Sequence, residues 1–407
     1  MLCRHCKTDL SNIFVDLGFA PPSNAYLDEN ALKAPEVSYP LRIFVCDKCF
    51  LVQTEDFAAA DVFFSPDYAY LSSASTSWLA HAKSYVDMIS DRLNLGSDSF
   101  VVEIASNDGY LLKNFVEAGV PCLGIEPTDS TAEIAEAKGI PVIREFFGEA
   151  LGKRLADEGR KADLMCGNNV YAHVPDINDF TAGFAAALKP EGVVTLEFPH
   201  LMRLVEENQF DTIYHEHFSY LSLITVERIF AANGLRLFDV EELPTHGKSL
   251  RVYGCLASSQ RDVTQAVTTL RNEELSRGMD QLEFYTGFQA KTDEVKNALW
   301  EFLLKAHREG KSVVAYGAAA KGNTMLNYAG VRPDMIRYVY DAAPSKQNKY
   351  MPGSHIPILA PDQIDAAAPD YVLILPWNLS KEITTHLAHL RDRGTKFVTA
   401  IPEIRVF

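Results

Sequence analysis

Short apolar runs alternate with stretches of helical periodicity over most of the chain. Phe100 to Ile104, Cys122 to Glu126, Ile140 to Ile143, Asp163 to Gly167 and Gly192 to Phe198 read as strands. Helical segments between them predict a doubly wound parallel sheet. A second, smaller alternation follows. Residues 260 to 308 contain a long helical stretch, and strands are expected at Ser312 to Tyr316, Ile336 to Tyr340 and Tyr371 to Leu375. The beginning of the chain is different, because Asp9, Pro21, Pro22, Asn24 and Pro35 break it into turns. The expected fold class is therefore α/β in three parts: a small domain over residues 1–68, a doubly wound sheet over 69–255, and a Rossmann-like α/β domain over 256–407.

Composition narrows the function classes. The chain has 407 residues, 47% of them hydrophobic and 23% charged, the balance of a globular enzyme with sizeable cores. No run approaches 18 apolar residues and no apolar leader opens the chain, so a cytoplasmic protein with no membrane partner is expected. The 54 acidic residues outnumber 38 Lys and Arg, a net charge of -16 that disfavours a phosphate backbone as ligand. Nothing in the pattern reports the oligomeric state.

Seven cysteines are present, and four of them form two pairs, Cys3-x-x-Cys6 and Cys46-x-x-Cys49. A two-residue gap lets both thiolates of a pair reach one tetrahedral ion, so the spacing predicts a zinc site. Four cysteines leave no open position for water, which makes the expected zinc structural. Cys122, Cys166 and Cys255 read as small core residues.

A doubly wound sheet binds its ligand at the carboxyl ends of its strands. After the first strand the chain reads Glu103-Ile-Ala105-Ser-Asn107-Asp108-Gly109. A pyrophosphate loop would carry several glycines, whereas this one has a single glycine. An acid at the strand end and a small polar turn suit an ammonium instead. Glu126, ending the second strand, can accept two ribose hydroxyls. Together they point to S-adenosylmethionine, with Asn168, Asn169 and Tyr68 as further contacts. The plainer alternative for each acid is a solvated or helix-capping carboxylate.

Two polar clusters carry the remaining chemistry. Asn168-Asn169-Val-Tyr-Ala-His173-Val-Pro-Asp176 follows the fourth strand, and Tyr214-His215-Glu216-His217-Phe-Ser-Tyr220 follows the fifth. The second offers a phenol, a carboxylate and two imidazoles, groups whose ordinary pKa values span neutrality. A histidine paired with a carboxylate can act as a general base. A polar loop capping a helix is the alternative. In the C-terminal part, Gly317-Ala-Ala-Ala-Lys321-Gly follows a strand and opens a helix, an arrangement that offers backbone N–H groups and a lysine to a diphosphate.

With these segments in order, the chain resembles the nucleotide-sugar C-methyltransferases that add a methyl branch to 4-keto-deoxyhexoses. The resemblance rests on the cysteine knuckles, Glu103 to Gly109, Asn169 to Asp176, Tyr214 to His217, His246-Gly-Lys-Ser-Leu-Arg251, Gly317 to Gly322 and Pro352-Gly-Ser-His355-Ile-Pro357. Lys248 departs from it, standing where a glycine is expected, and Ala74 lies in a stretch that family members vary. The resemblance implies an S-adenosylmethionine-dependent enzyme acting on a nucleotide-diphosphate 4-keto-deoxyhexose. It implies His217 as the base, Tyr214 and His173 orienting the sugar or stabilising its enolate, and Glu216 polarising its neighbours. Arg251, Lys321, Lys346 and His355 are the implied contacts to the sugar nucleotide. Competing readings are a non-catalytic sugar-nucleotide binder, a zinc-bearing RNA methyltransferase, and an N- or O-methyltransferase of the same fold.

Overall fold

The computed structural model of the protein describes residues 1–57 and 71–407, so Tyr68 lies outside the described residues. Strands β1 (Asn12–Ala20), β2 (Tyr39–Val45) and β3 (Val52–Thr54) begin the chain. There follow β4 (Val101–Ile104), β5 (Cys122–Ile125), β6 (Val142–Ile143), β7 (Ala162–Asn168), β8 (Leu188–Pro199), β9 (Ser219–Tyr220), β10 (Leu235–Leu243) and β11 (Ser249–Leu256). The last group is β12 (Val313–Tyr316), β13 (Val339–Tyr340), β14 (Ile358–Leu359), β15 (Tyr371–Ile374), β16 (Lys396–Thr399) and β17 (Arg405–Val406).

These strands form three sheets. The central one has the order β10-β11-β8-β7-β4-β5-β6, parallel from β8 to β6 and antiparallel at β11 and β10. Every residue of β4 and β5 is buried, as expected of parallel strands covered by helices on both faces. The strand order reverses beside β4, which opens a crevice between the loops that follow β4 and β7. A second sheet, β14-β13-β12-β15-β16-β17, reverses beside β12 and is parallel except at β17.

The first sheet draws its strands from two distant parts of the chain. Its order is β1-β2-β3-β9, so β9, from far along the chain, completes it by pairing Val52 with Tyr220 and Gln53 with Ser219. The C-terminal part also packs on it: Phe14 stacks on Phe288 at 4.5 Å, and Gln289 accepts a hydrogen bond from the Asp16 N–H at 2.8 Å. One buried apolar cluster runs from Cys3 to Ile401 through all three sheets.

Two local expectations are sharpened. The helical stretch expected within 260–308 is two helices, Gln265–Ser276 and the longer Phe288–Arg308. Gly278 and Gly287, at φ 80° and 84°, terminate the first and admit the second, a backbone conformation that a helix interior excludes. Strand β6 starts at Val142 rather than Ile140, since Pro141 lacks an N–H and gives only its carbonyl to the Gly124 N–H, at 2.8 Å. No helix among the described residues is long and apolar enough to cross a membrane.

Candidate active site

The two cysteine knuckles are congruent. Lys7 N–H donates to Cys3 O at 3.1 Å and Phe50 N–H to Cys46 O at 3.0 Å, while Cys3 and Cys46 N–H donate forward to Thr8 O and Leu51 O. The residue after each second cysteine, Lys7 or Phe50, is left-handed, at φ 62° and 58°. These turns bring the four sulfurs within 4.8 Å of one another, with Cys3 to Cys49 at 3.5 Å and Cys6 to Cys46 at 3.4 Å. A tetrahedral zinc ion about 2.3 Å from each thiolate requires sulfurs about 3.8 Å apart. The donor set fits zinc and closes its shell.

In the central crevice, the loop after β4 holds Ala105, Asn107 and Gly109 all at positive φ, 55°, 48° and 74°. Alternate left-handed residues curl a backbone into a concave turn that usually selects glycine; here Ala105 and Asn107 adopt it with a side chain attached. Glu126 braces the turn from β5, accepting the Asn107 N–H at 2.9 Å and the Thr128 N–H at 3.0 Å. Ser72 N–H donates to Asn107 Oδ1 at 2.9 Å, bringing the segment before helix Thr76–Leu93 over the loop.

Around this turn lies a set of under-satisfied buried polar groups: Glu103, reached by Tyr110 and the Leu112 backbone, Asp108, held by an ion pair with Lys138 at 3.6 Å, the Asn168 amide beside Tyr110, and Asn169 Oδ1. Burial pushes the Glu103 carboxyl well above the usual carboxylate range, and the charges of Glu126 and Asp108 push the same way. Under-satisfied buried acceptors are expensive unless a ligand satisfies them. An ammonium and ribose hydroxyls would do so. The residues therefore fit S-adenosylmethionine.

Beyond the end of β8, Tyr214 to His217 forms a turn closed by His217 N–H and Tyr214 O at 2.9 Å. His217 Nδ1 lies 2.8 Å from Thr212 O. A carbonyl only accepts, so Nδ1 carries the proton and Nε2 is the ring's acceptor. His173, from the segment after β7, donates its Nδ1–H in the same way to Glu216 O at 2.8 Å, and its ring centre is 4.6 Å from that of His217. Burial holds both imidazoles neutral: His173 is pushed down to about 4, and His217 falls well below its usual range, with His173 adding to the effect.

The expected His217–Glu216 pair is not formed. Neighbours in a turn diverge, and Glu216 Oε2 instead accepts from Asn24 Nδ2 at 2.7 Å, where burial raises the carboxyl to about 7. His215 reaches Pro40 O at 3.2 Å. A carboxylate-held imidazole does occur elsewhere. His81 Nε2 sits 2.8 and 3.1 Å from the two oxygens of Glu197 on β8, which also accept from Thr245 at 2.8 Å and Arg251 at 2.9 Å. Burial opposes ionisation of Glu197, yet the His81 bond and the Arg251 charge outweigh it and hold its pKa down. Trp78 stacks on His81 at 4.9 Å and meets His246 edge-on at 5.0 Å.

Family models match all three parts of the chain: a zinc binding domain over residues 3–64, a methyltransferase domain over 79–240, and a C-methyltransferase C-terminal domain over 244–402. The C-methyltransferase NovU of Streptomyces niveus is 35% identical over 404 residues, spanning 99% of this chain and 96% of that protein. The chain belongs to this C-methyltransferase family. A ubiquinone biosynthesis O-methyltransferase of Rhizobium etli (strain CIAT 652) is 25% identical over 153 residues, 34% of this chain and 60% of that protein. Among solved structures, the magnesium protoporphyrin IX methyltransferase of Synechocystis PCC 6803 with bound SAH aligns at TM-score 0.35 and 15% identity, covering 44% of this chain and 83% of that one. Membership makes S-adenosylmethionine the methyl donor.

In this C-methyltransferase the C-terminal contacts expected from sequence are distributed unevenly. Lys321, in the first turn of helix Ala320–Ala329, donates to Asn378 Oδ1 at 2.7 Å and lies 4.8 Å from the Trp377 ring centre. Burial depresses its ammonium against the pull of Asp211, whose carboxyl accepts from Trp377 Nε1 at 2.8 Å and is raised by burial to about 6. Gly247 is pressed beneath the same indole: a Cβ there would meet Trp377 Cη2 at 2.5 Å. The charge of Lys321 reaches His217 and His246. Lys321 and Trp377 thus border the histidine turn.

The other expected contacts lie elsewhere. Three amides of the Gly317 loop are already engaged: Gly317, Ala318 and Ala319 N–H donate to Tyr340 O, Asp341 Oδ2 and Gly317 O at 2.7, 2.6 and 2.8 Å. Lys346 donates to Ala318 O at 2.8 Å, His355 Nε2 lies 2.8 Å from Glu36, and Arg251 is buried between Glu197 and Glu241. The helix that carries Lys321 opens at a strand-order reversal. His81, Glu197, Asp211 and Trp377 were not singled out in the sequence, since their partners are far away in the chain.

Proposed function

We propose that this C-methyltransferase methylates a nucleotide-linked 4-keto-deoxy sugar at the carbon beside the ketone. When bound, S-adenosylmethionine supplies an electrophilic methyl group. The ketone acidifies the neighbouring C–H; its proton passes to His217 Nε2, and the electron pair left on carbon becomes the enolate that takes the methyl. The observation that carries this reading is the His217–Thr212 hydrogen bond, which fixes the tautomer with Nε2 as acceptor, inside a pocket that keeps the ring neutral. A positioned base of this kind contributes about 10²–10⁴-fold.

Tyr214 and His173 flank the base, and in this reading they orient the sugar and its developing oxyanion. Lys321 supplies positive charge for the anionic part of the substrate. Glu216, half-titrated near neutrality, polarises the turn through its own backbone carbonyl, which holds His173. Arg251 acts at one remove, by holding Glu197 and through it His81. Incubation with a panel of 4-keto sugar nucleotides, followed by NMR location of the new methyl, tests the function. Transfer to a ring carbon adjacent to the ketone, with S-adenosylhomocysteine released, is expected; a methyl on oxygen or nitrogen would overturn it.

A further inference from the structure

Arg4 lies inside the first zinc knuckle, between ligands Cys3 and Cys6, yet its side chain leaves the knuckle and is only 5% exposed. Its guanidinium collects carbonyls from three separate segments. Nε donates to Phe218 O at 3.2 Å, one terminal nitrogen to Pro175 O at 3.0 Å, and the other to Thr54 O at 2.9 Å, with Asp56 as its counter-ion. The group also lies 4.9 Å from the centre of the Phe218 ring. A planar fork with five donors suits such a junction, where a lysine would reach fewer acceptors.

Two of those carbonyls belong to the histidine segments. Phe218 follows His217 directly, and Pro175 comes two residues after His173. The segments are tied to each other as well, by Phe218 N–H to Ala172 O at 2.8 Å and His173 Nδ1 to Glu216 O at 2.8 Å. Thr54, the third carbonyl, gives its hydroxyl to His217 O at 2.5 Å. On the zinc side, Arg4 N–H donates to Gln53 Oε1 at 2.8 Å, and Gln53 Nε2 donates to Cys3 Sγ at 3.3 Å. The congruent position in the second knuckle, Asp47, is exposed to solvent. Only the first knuckle turns its inner residue toward the histidines.

We infer that Arg4 is a positioning residue that couples the zinc knot to the His173–His217 pair, so that the metal holds the general base in register although it takes no part in the chemistry. The catalytic half of this statement rests on the proposed role of His217; the structural half does not. The coupling reaches the ring because His217 Nδ1 is anchored to Thr212 O within the same short loop whose far end Arg4 holds.

The test uses the zinc-loaded full chain, with Arg4→Met, Arg4→Lys and, as control, Asp47→Ala. In Arg4→Met, zinc content and S-adenosylmethionine affinity should stay within two-fold, since neither ligand set includes Arg4. Imidazole nitrogen resonances of His173 and His217 should shift, and turnover on a 4-keto sugar nucleotide should fall 10- to 100-fold in kcat with KM little changed. Arg4→Lys should recover part of that loss, and Asp47→Ala should match the parent protein. Unmoved histidine resonances in Arg4→Met overturn the inference, as does a loss of turnover that only parallels zinc loss. Should Arg4→Met fail to fold, the same resonances read in Arg4→Lys decide. The NMR arm needs no substrate, so it separates this coupling from the identity of the base: a fully active His217→Asn would sink the proposed mechanism and leave the coupling to be judged by the resonances.

Discussion

The rings of Tyr214 and His217 lie 4.0 Å apart at 33°, and the backbone turn between them sends Glu216 the other way, to Asn24. One short segment thus separates a neutral imidazole from a carboxyl that titrates near 7. The pairing sets a graded expectation. His217→Asn should lower turnover by about 10²–10⁴-fold, with S-adenosylmethionine affinity preserved. Tyr214→Phe keeps the ring contact and should lose roughly ten-fold, the scale of one transition-state hydrogen bond. Single-turnover release of S-adenosylhomocysteine measures both. A Tyr214→Phe variant as damaged as His217→Asn would place the base on the phenol instead.

With Glu103 proposed as a cofactor contact, cofactor binding is expected to be sensitive to pH. In the free protein its pKa is raised by burial, so part of the population is protonated. A cationic ligand favours the ionised form, so binding should release a proton and affinity should rise with pH through the raised pKa. Calorimetric titration with S-adenosylmethionine in two buffers of different ionisation enthalpy reads that proton directly. Glu103→Gln should abolish both the release and the pH slope; an unchanged slope in that variant would assign the proton elsewhere.

Stability should respond to pH through opposing groups. Glu216 and Asp211 have folded pKa values raised to about 7 and about 6, so the stability they contribute is present below the ordinary carboxylate range and is lost as pH rises through those values. His173 and His246 are both lowered to about 4, so their contribution is present above about 6.5 and is lost as pH falls toward 4. Between roughly pH 4.5 and 6.5 the slopes oppose, each about 1.4 kcal/mol per pH unit per proton. Glu216→Gln removes one carboxyl from the balance. Denaturant midpoints of that variant should climb more steeply with pH over this window than those of the parent; identical slopes would show that Glu216 is ionised throughout.

Lys248 stands at φ 80° and ψ 108°, outside the comfortable regions for a side chain, at the position where the family resemblance calls for glycine. Such strain amounts to about 1–3 kcal/mol, while glycine gives back about 0.4–1 kcal/mol through the unfolded chain. The ion pair to Glu207 is half exposed and contributes little. Lys248→Gly is therefore expected to stabilise the protein by about 1 kcal/mol, raising Tm by roughly 1 °C in a chain of 407 residues. A lower melting temperature would mean that the Glu207 contact outweighs the strain.

The sheet beside β4 was legible in the sequence because strands buried on both faces read as unbroken apolar runs, which placed Glu103 and Glu126 at strand ends. The backbone of the intervening turn was not legible, because left-handed φ at Ala105 runs against the preference of that residue, and Asn107, which tolerates it, is held there by Glu126 and Ser72. The Gly317 loop shows the converse. Its sequence suits an anion, but Asp341, just after β13, already accepts the Ala318 amide. His81 and Glu197 are 116 positions apart, a separation no local pattern spans. Arg4 was hidden by its neighbours, since in a Cys-x-x-Cys motif only the cysteines carry a signal.

The pairing of β3 with β9 sets an order for assembly in the cell. Chains emerge from the ribosome amino end first, and early domains commonly fold before later ones are made. Here the first sheet lacks its fourth strand until Ser219 and Tyr220 have been synthesised, and Arg4 cannot complete its set of carbonyls until Phe218 has been made. The cysteine knuckles can take up metal early, but the edge of β3 stays open while about half the chain is translated. Zinc capture by the nascent chain would then act as a holding step, keeping an exposed strand edge in shape until its distant partner arrives.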